Sequence, residues 1–412
     1  MSTNPDPDTA SANADQAIGG LANGLETVAI PGPSIVPERI RAAMNRPMPD
    51  IYAGDLVDAS DTVFAGLPGL VNSPDAQPFV VIGNGHGAWQ MAICNTLSRG
   101  DSVLVCESGR FAVAWGEQAA VSGVKSEVLP GRDDGPVDPA ALEARLADDR
   151  GNEIKAVMVV QTDTATSVRN DIPALRAAID AAGHPALLMV DCIASLGCEP
   201  YEMTAWGVDV TVAASQKGIM VPPGVAFVWA GPKALEAYHR ADLRVGYLDW
   251  GPRIDPEVHY YLYAGTPPVP HLYGLREALA MIAEEGLEAR WHRHTRLAGA
   301  VWAAVDAWST DGGMRLNIPD PAHRSTAVTT VLTGDIDSEE IRRRCQQGAG
   351  VTLGSAIGGL GNHFRIGHMG HLNPPMLLGT IGTIEAVLVS MGAPIGASGV
   401  AAAATHLGAD FA

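Results

Sequence analysis

The sequence predicts an α/β fold, a large doubly wound and mostly parallel sheet domain followed by a smaller α+β domain. Three observations predict it. From residue 79 onward, short apolar runs rich in Val, Ile and Leu alternate with segments of helical period, the order that right-handed βαβ crossovers produce. Several runs are apolar throughout instead of alternating, as strands covered on both faces must be. After residue 270 the alternation gives way to long amphipathic helices and isolated short strands.

In chain order, Pro31-Gly32-Pro33 sets a rigid turn, and ordered structure is expected to begin near Ile30. Pro37 to Met44 is a short helix with Pro37 near its first turn. Phe79 to Gly83 is a strand and His86 to Ser98 a helix. Val103 to Cys106 is a strand and Phe111 to Ser122 a helix. Pro139 to Leu146 is a helix for which Asp138 can serve as N-cap. Lys155 to Val160, Leu187 to Asp191, Asp209 to Ala213 and Val225 to Trp229 are strands, with a helix from Pro173 to Ala182. Beyond residue 270, Leu272 to Glu284 and Leu287 to Trp308 are long helices. Thr326 to Leu332 alternates as a strand, Ser338 to Cys345 is a helix, Phe364 to Gly367 a short strand, and Met376 to Met391 a helix. These elements divide the chain into a disordered arm (1–25), a large domain (26–285), a small domain (286–395) and a tail (396–412).

Bulk composition narrows the class. A chain of 412 residues can bury a large core. Its formal net charge of −19 argues against nucleic acid and anionic membrane as partners. No run of ~20 apolar residues spans a bilayer. The polar, acidic N-terminal arm lacks the basic and apolar regions of a signal peptide. Cys94, Cys106, Cys192, Cys198 and Cys345 show no CxxC or Cys/His ligand spacing. They are expected as reduced, buried thiols in a cytoplasmic protein.

Two strand ends carry the chemistry. The run Val208 to Ala214 leads to Ser215-Gln216-Lys217-Gly218, and Ala186 to Val190 ends at Asp191. Open parallel sheets place ligands at the carboxyl ends of their strands. Pyridoxal phosphate needs a lysine for its aldehyde and an acid for its pyridine nitrogen. A buried Lys–Asp ion pair is the structural alternative, and desolvation of two ions makes it costly. The turn Gly83-Asn84-Gly85-His86-Gly87-Ala88 follows a strand and opens a helix, so its N–H groups and helix dipole form an anion cradle. It also matches G-x-G-x-x-G/A, with Glu107 after the next strand, as in dinucleotide-binding folds. Taken alone, the turn leaves both phosphates open. Lys217 and Asp191 favour pyridoxal phosphate, because hydride transfer requires neither.

Together these residues resemble the class V, fold-type I aminotransferases of the alanine/serine–glyoxylate branch. The resemblance covers about residues 29–402. It rests on Pro31-Gly32-Pro33, the phosphate turn, Asp163 to Val168, Val190-Asp191, Ser215 to Gly218, Thr266-Pro267-Pro268, Phe364 to Gly370 and the tail Gly396 to Ala403. It implies a large seven-stranded sheet domain and a homodimer, or a tetramer built from it, with composite active sites.

The resemblance assigns roles one position at a time. Lys217 is the lysine linked to the cofactor and Asp191 the partner of the ring nitrogen. Phe111 stacks on the ring, and the Thr164 hydroxyl approaches the ring oxygen. Asn84, Gly85, His86 and Gln216 hold the phosphate. Tyr263 and Thr266 reach the phosphate of the neighbouring subunit. Arg365, flanked by apolar residues in the strand Phe364-Arg365-Ile366, presents a guanidinium fork suited to an α-carboxylate. His368 and His371 lack a third ligand, so no metal site is expected. The chain departs from the family at Asp50-Ile51-Tyr52 (Asp-His-Arg in relatives), Asn84-Gly85-His86 (Ser-Gly-Thr), Gln90 (Glu), Thr162-Asp163-Thr164 (Asn-Glu-Thr) and Ser167 (Gly).

The expected activity is transfer of the amino group of serine, alanine, aspartate or ureidoglycine to glyoxylate or another small 2-oxo acid, in a ping-pong cycle. The alternatives are a pyridoxal-phosphate lyase of desulfurase or aldolase type and an NAD-dependent oxidoreductase. A cofactor-sensing regulator would need a fused DNA-binding domain, which the acidic arm does not provide.

Overall fold

The computed structural model describes residues 21–310 and 313–411. The arm expected over residues 1–25 therefore lies outside the described residues as far as residue 20.

A seven-stranded sheet forms the centre of the large domain. Its strands are β2 (Gln77–Gly83), β3 (Ser102–Cys106), β4 (Lys125–Leu129), β5 (Ile154–Val160), β8 (Leu187–Asp191), β9 (Val210–Ala214) and β10 (Gly224–Ala230). Their spatial order is β2-β10-β9-β8-β5-β3-β4. Only β10 runs against its neighbours β2 and β9; the other pairings are parallel. Both faces are covered. Val80, Val157, Leu188 and Phe227 point into one apolar layer, while Phe79, Val81, Met158, Met189 and Val228 point into the other. This two-sided burial explains why the strands read as continuous apolar runs.

Several large-domain elements escape the sequence pattern, among them β4 and the helix Asp55–Leu70. Strand β4 has the polar sequence Lys125-Ser126-Glu127 and lies at the sheet edge, where charged side chains discourage further pairing. The helix Asp55–Leu70 contains Gly66, Pro68 and Gly69, which mask its period. It still buries Leu56, Ala59, Val63, Leu67 and Leu70 along one face.

The second unit combines the helix Leu287–Trp308 with an antiparallel sheet of β11 (Arg315–Leu316), β12 (Val328–Leu332) and β14 (His363–Gly367). The helices Ser338–Ala349, Pro374–Ser390 and Gly399–Gly408 complete it. Near the N-terminus, β1 (Thr27–Ala29) pairs in parallel with β13 (Val351–Leu353), so residues 27–29 join this unit and not the large sheet. The tail is also integral. Ala403 and Leu407 share an apolar core with Val301, Trp308 and Ile384. Glu385 accepts hydrogen bonds from Trp308 Nε1 (2.9 Å), Ser398 Oγ (2.7 Å) and Val400 N (3.0 Å), fixing the start of the last helix. A short hairpin of β6 (Thr162–Asp163) and β7 (Val168–Arg169) projects from the end of β5.

Glu199, fully buried, clamps the two units together. Its Oε2 accepts from Thr162 Oγ1 (2.9 Å), and its Oε1 accepts from Ser325 Oγ (2.6 Å) and Thr326 N (3.0 Å). Removing it strands three buried donors. Glu199→Ala should lower unfolding free energy by about 3 kcal/mol or more, read as a shifted urea midpoint. Glu199→Gln, which keeps one acceptor oxygen, should lose less.

Candidate active site

The carboxyl end of β9 runs directly into the loop that carries Lys217. Ser215 Oγ donates to Pro222 O (2.7 Å) and Met220 N to Lys217 O (3.0 Å), closing the loop on itself. The segment Pro31 to Ser34 lies across it. Ser34 donates its N–H to Gln216 O (2.8 Å) and its hydroxyl to Lys217 O (2.7 Å), and the Lys217 amine donates to Pro31 O. Gly32 has φ +95°, and a Cβ there would stand 2.5–2.6 Å from the lysine's Cδ, Cε and Nζ. Only glycine fits under this lysine. Burial, aided by the charge of Arg365, lowers the Lys217 amine to about 8, against the opposing pull of Asp191.

Asp191 closes β8, the strand beside β9. Its Oδ1 accepts from Ile193 N (2.6 Å) and its Oδ2 from Trp89 Nε1 (2.7 Å). Burial raises this carboxyl to about 7, and the two hydrogen bonds oppose that rise. No cationic side chain bonds to it among the described residues. A cation placed beside it would restore the carboxylate.

Asn84 follows β2 and is the N-cap of the helix Gly85–Thr96, its side chain accepting from His86 N (3.1 Å). Gly85 is pressed against the Ile193 side chain, where a Cβ would come within 2.4 Å of Cδ1. Gln118 Nε2 donates to His86 O (2.9 Å) and supports the turn from the next helix. The topology overturns the dinucleotide alternative. In that motif the glycine turn and the acid belong to neighbouring parallel strands. Here β2 is an edge strand antiparallel to β10, and β3, which leads to Glu107, lies five positions away, a distance of about 24 Å at normal strand spacing.

Asn84, Gly85, His86, Phe111, Thr164, Asp191, Gln216 and Lys217 line one cavity, together with Trp89, Thr162, Ile193 and Ala194. Gln216 Oε1 is buried there with no hydrogen-bond partner. Arg365 lies beside this cavity. Its Nε donates to Ser355 O (2.8 Å) and its Nη1 to Thr164 O (2.9 Å), so three of its five N–H groups remain available. Burial lowers the guanidinium to about 10, well above neutral pH. Asp163, fully buried, supplies the opposing charge. It also accepts from Phe111 N (2.8 Å), Ala112 N (3.0 Å) and Ala165 N (2.9 Å), so it caps the start of the helix Arg110–Val121 and fixes the Thr164 turn.

Tyr263 and Thr266 do not line this cavity. Tyr263 is buried against Phe64 with its hydroxyl bonded to Ser60, and Thr266 is exposed. Sequence inspection alone missed Trp89, Asp163 and Glu199 as supports. Trp89 was the most accessible of these, because it stands one helical turn after His86. The five cysteines are free and buried, and none lines the cavity. That arrangement disfavours a lyase with a mobile cysteine nucleophile.

The chain belongs to the class V aminotransferase family, whose model matches residues 58–370. It is 38% identical to a serine–glyoxylate aminotransferase of Methylorubrum extorquens over 93% of this chain and 96% of that one. It is 37% identical to an L-aspartate–glyoxylate aminotransferase of Paracoccus denitrificans over 92% and 95%. In three dimensions it matches the ureidoglycine–glyoxylate aminotransferase of Bacillus subtilis with a TM-score of 0.83 at 24% identity, over 94% of this chain and 99% of that one. The fold is that of the fold-type I enzymes. The protein is an aminotransferase, and its cofactor is pyridoxal phosphate. The cavity fits that group, with an amine at one end, a buried carboxylate lacking a cation, an unpartnered amide oxygen, and a helix start.

Borohydride should fix the cofactor to Lys217 and bleach the visible band, and Lys217→Ala should lose the covalent link. Mass spectrometry of the reduced protein reads this. Because burial lowers the amine, the unprotonated fraction of Lys217 in cofactor-free protein should rise through pH 8, not above pH 10. The rate of cofactor uptake, followed by absorbance, should rise over the same interval and then level off.

Proposed function

We propose that this enzyme moves the amino group of a small amino acid, serine or alanine first, to glyoxylate or another small 2-oxo acid in two half-reactions. Aspartate and ureidoglycine are the further donors to test, since similar proteins carry those names. The observation that carries the proposal is Arg365, a buried guanidinium with unspent donors between the cavity and the small domain. Amino and oxo acids share only the α-carboxylate, and a fixed fork holds both in one register.

Each residue then has a task. The cofactor, when bound, supplies a ring that withdraws electrons from the substrate Cα. Lys217 would hold the cofactor through its amine and, with that amine free, would take up and release the substrate Cα proton at Nζ. Its lowered basicity suits it to take up and release that proton near neutral pH. Asp191 keeps the ring nitrogen protonated. Phe111 and Ile193 would give the ring apolar walls, and the Thr164 hydroxyl, in the same cavity, would serve the ring oxygen. Asn84, Gly85, His86 and Gln216 receive the phosphate at the helix start. The enzyme acts in the cytoplasm, where its thiols stay reduced.

A homodimer completes the site. Tyr52 and Tyr261 are exposed on either side of Tyr260, with ring centroids 6.0 and 5.0 Å from it. Exposed Val258 and Thr266 lie in the same stretch of chain. Thr266 and Tyr263 are assigned to the partner's phosphate site. Tyr263 is fully buried in its own subunit with its hydroxyl on Ser60, so reaching the partner's phosphate would require this segment to rearrange.

Arg365→Ala should raise the Michaelis constants of donor and acceptor at least ~30-fold, the loss expected for one side of a charged contact. Cofactor content should be unchanged. Arg365→Lys should restore only part of the effect, because an ammonium cannot form the paired fork. Spectral half-reactions with serine, alanine, aspartate, ureidoglycine and glyoxylate test this; normal constants in Arg365→Ala would remove Arg365 as the anchor. Sedimentation should give a dimer whose specific activity falls on dilution into monomer.

A further inference from the structure

Trp89 makes a contact that cofactor binding alone does not explain. It lies in the second turn of the helix Gly85–Thr96, three residues after His86, so both project from one face. Its ring is buried and lies 4.6 Å from the His86 ring on one side and 5.9 Å from Trp115 on the other. Its indole N–H is spent on Asp191 Oδ2 at 2.7 Å, while Ile193 N holds Oδ1 at 2.6 Å. Each carboxylate oxygen thus has one fixed donor on the protein side.

We propose that Trp89 is a positioning residue for Asp191, an indole donor that fixes the carboxylate plane and its charge toward the ring nitrogen. The proposal rests on the transaminase function above. A carboxylate held by two donors cannot rotate, so its remaining lone pairs keep one direction. The same helix whose start would receive the phosphate therefore also carries the donor to the carboxylate that would face the ring nitrogen. Helix position and ring protonation are mechanically joined.

The neighbouring Trp115 provides an internal control, since its Nε1 is buried with no partner. Trp89→Phe removes the donor and keeps an aromatic ring; Trp115→Phe removes an indole N–H that bonds to nothing. In single-turnover half-reactions of the holoenzymes with L-serine and L-alanine, per bound cofactor, Trp89→Phe should be slowed roughly ten- to a hundred-fold. Substrate affinity should stay within about two-fold, and Trp115→Phe should react like the parent. In an Asp191→Asn background, Trp89→Phe should slow the reaction by no more than about two-fold, because the bond it serves is already altered. The pH titration of the resting visible band needs no substrate; it should move in Trp89→Phe and stay in place in Trp115→Phe.

Three results would overturn the proposal. These are equal slowing by the two Phe variants, an undiminished effect of Trp89→Phe in the Asp191→Asn background, or a normal rate per bound cofactor in Trp89→Phe. If the parent enzyme reacts with no amino acid, the transaminase function fails, and the resting band still decides the role of Trp89.

Discussion

The crossing of the Pro31–Ser34 segment over the Lys217 loop is the contact on which the site depends. That segment continues from β1, which pairs within the small domain, yet it bonds to Gln216 and Lys217 of the large domain. The approach is close enough to dictate residue type. A Cβ at Gly367 in β14 would stand 2.0 Å from Ile30 O, and one at Gly32 would collide with the lysine itself. Arg290 ties the same junction from behind, with Nε on Gly197 O (2.7 Å) and Nη2 on Gly218 O (2.5 Å). Its partner Glu285 also pairs with Arg293. The catalytic lysine is thus held by both domains, and any rotation of one against the other must move it.

Electrostatics inside this junction differ from those of the surface. The chain carries a formal charge of −19, but Lys217, Arg365 and His86 gather at or beside one cavity. Burial moves Lys217 down and Asp191 up, so both approach neutrality where water is excluded. Arg365 keeps its charge because backbone carbonyls and Asp163 compensate it. Such a site is poised to receive anions, a phosphate at the helix start and a carboxylate at the arginine. Surface repulsion is screened over about 10 Å at ordinary ionic strength, whereas the buried donors act at contact distance.

Much of this was legible in the sequence because it was local. Strand ends at Asp191 and Lys217, the glycine turn and the Asn84 cap all follow from neighbouring residues. Eight of the expected cofactor contacts line one cavity; Phe111, Thr164 and Gln216 among them follow from the family resemblance and not from local pattern. What escaped was either masked or long-range. The helix Asp55–Leu70 is hidden by Gly66-Leu67-Pro68-Gly69, and β4 by its charged edge composition. The pairing of β1 with β13 joins residues more than 300 positions apart, and no local pattern reports it. The G-x-G-x-x-G ambiguity had the same origin. The six residues are compatible with either phosphate; Lys217 and Asp191 favour one of them, and the position of β2 at the sheet edge removes the other.

Several departures from the family pattern fall on the phosphate turn and on residues that support it, and they spare Lys217 and Asp191. Asp163 stands where relatives carry Glu, and its shorter side chain still reaches three backbone amides while compensating Arg365. Gln90 stands where relatives carry Glu, and as an amide it both accepts from Gln118 and donates to Ser122. A carboxylate could only accept. That amide ladder puts no carboxylate at position 90, where a negative charge would oppose the helix dipole's attraction for phosphate. The exchange of Ser-Gly-Thr for Asn84-Gly85-His86 replaces one hydroxyl with the Asn84 amide, which caps the helix through His86 N, and the other with an imidazole that lines the cavity. The helix start is thus lined by an amide and an imidazole and backed by a hydrogen-bonded amide ladder, while Lys217 and Asp191 stand at the strand ends that their chemistry requires.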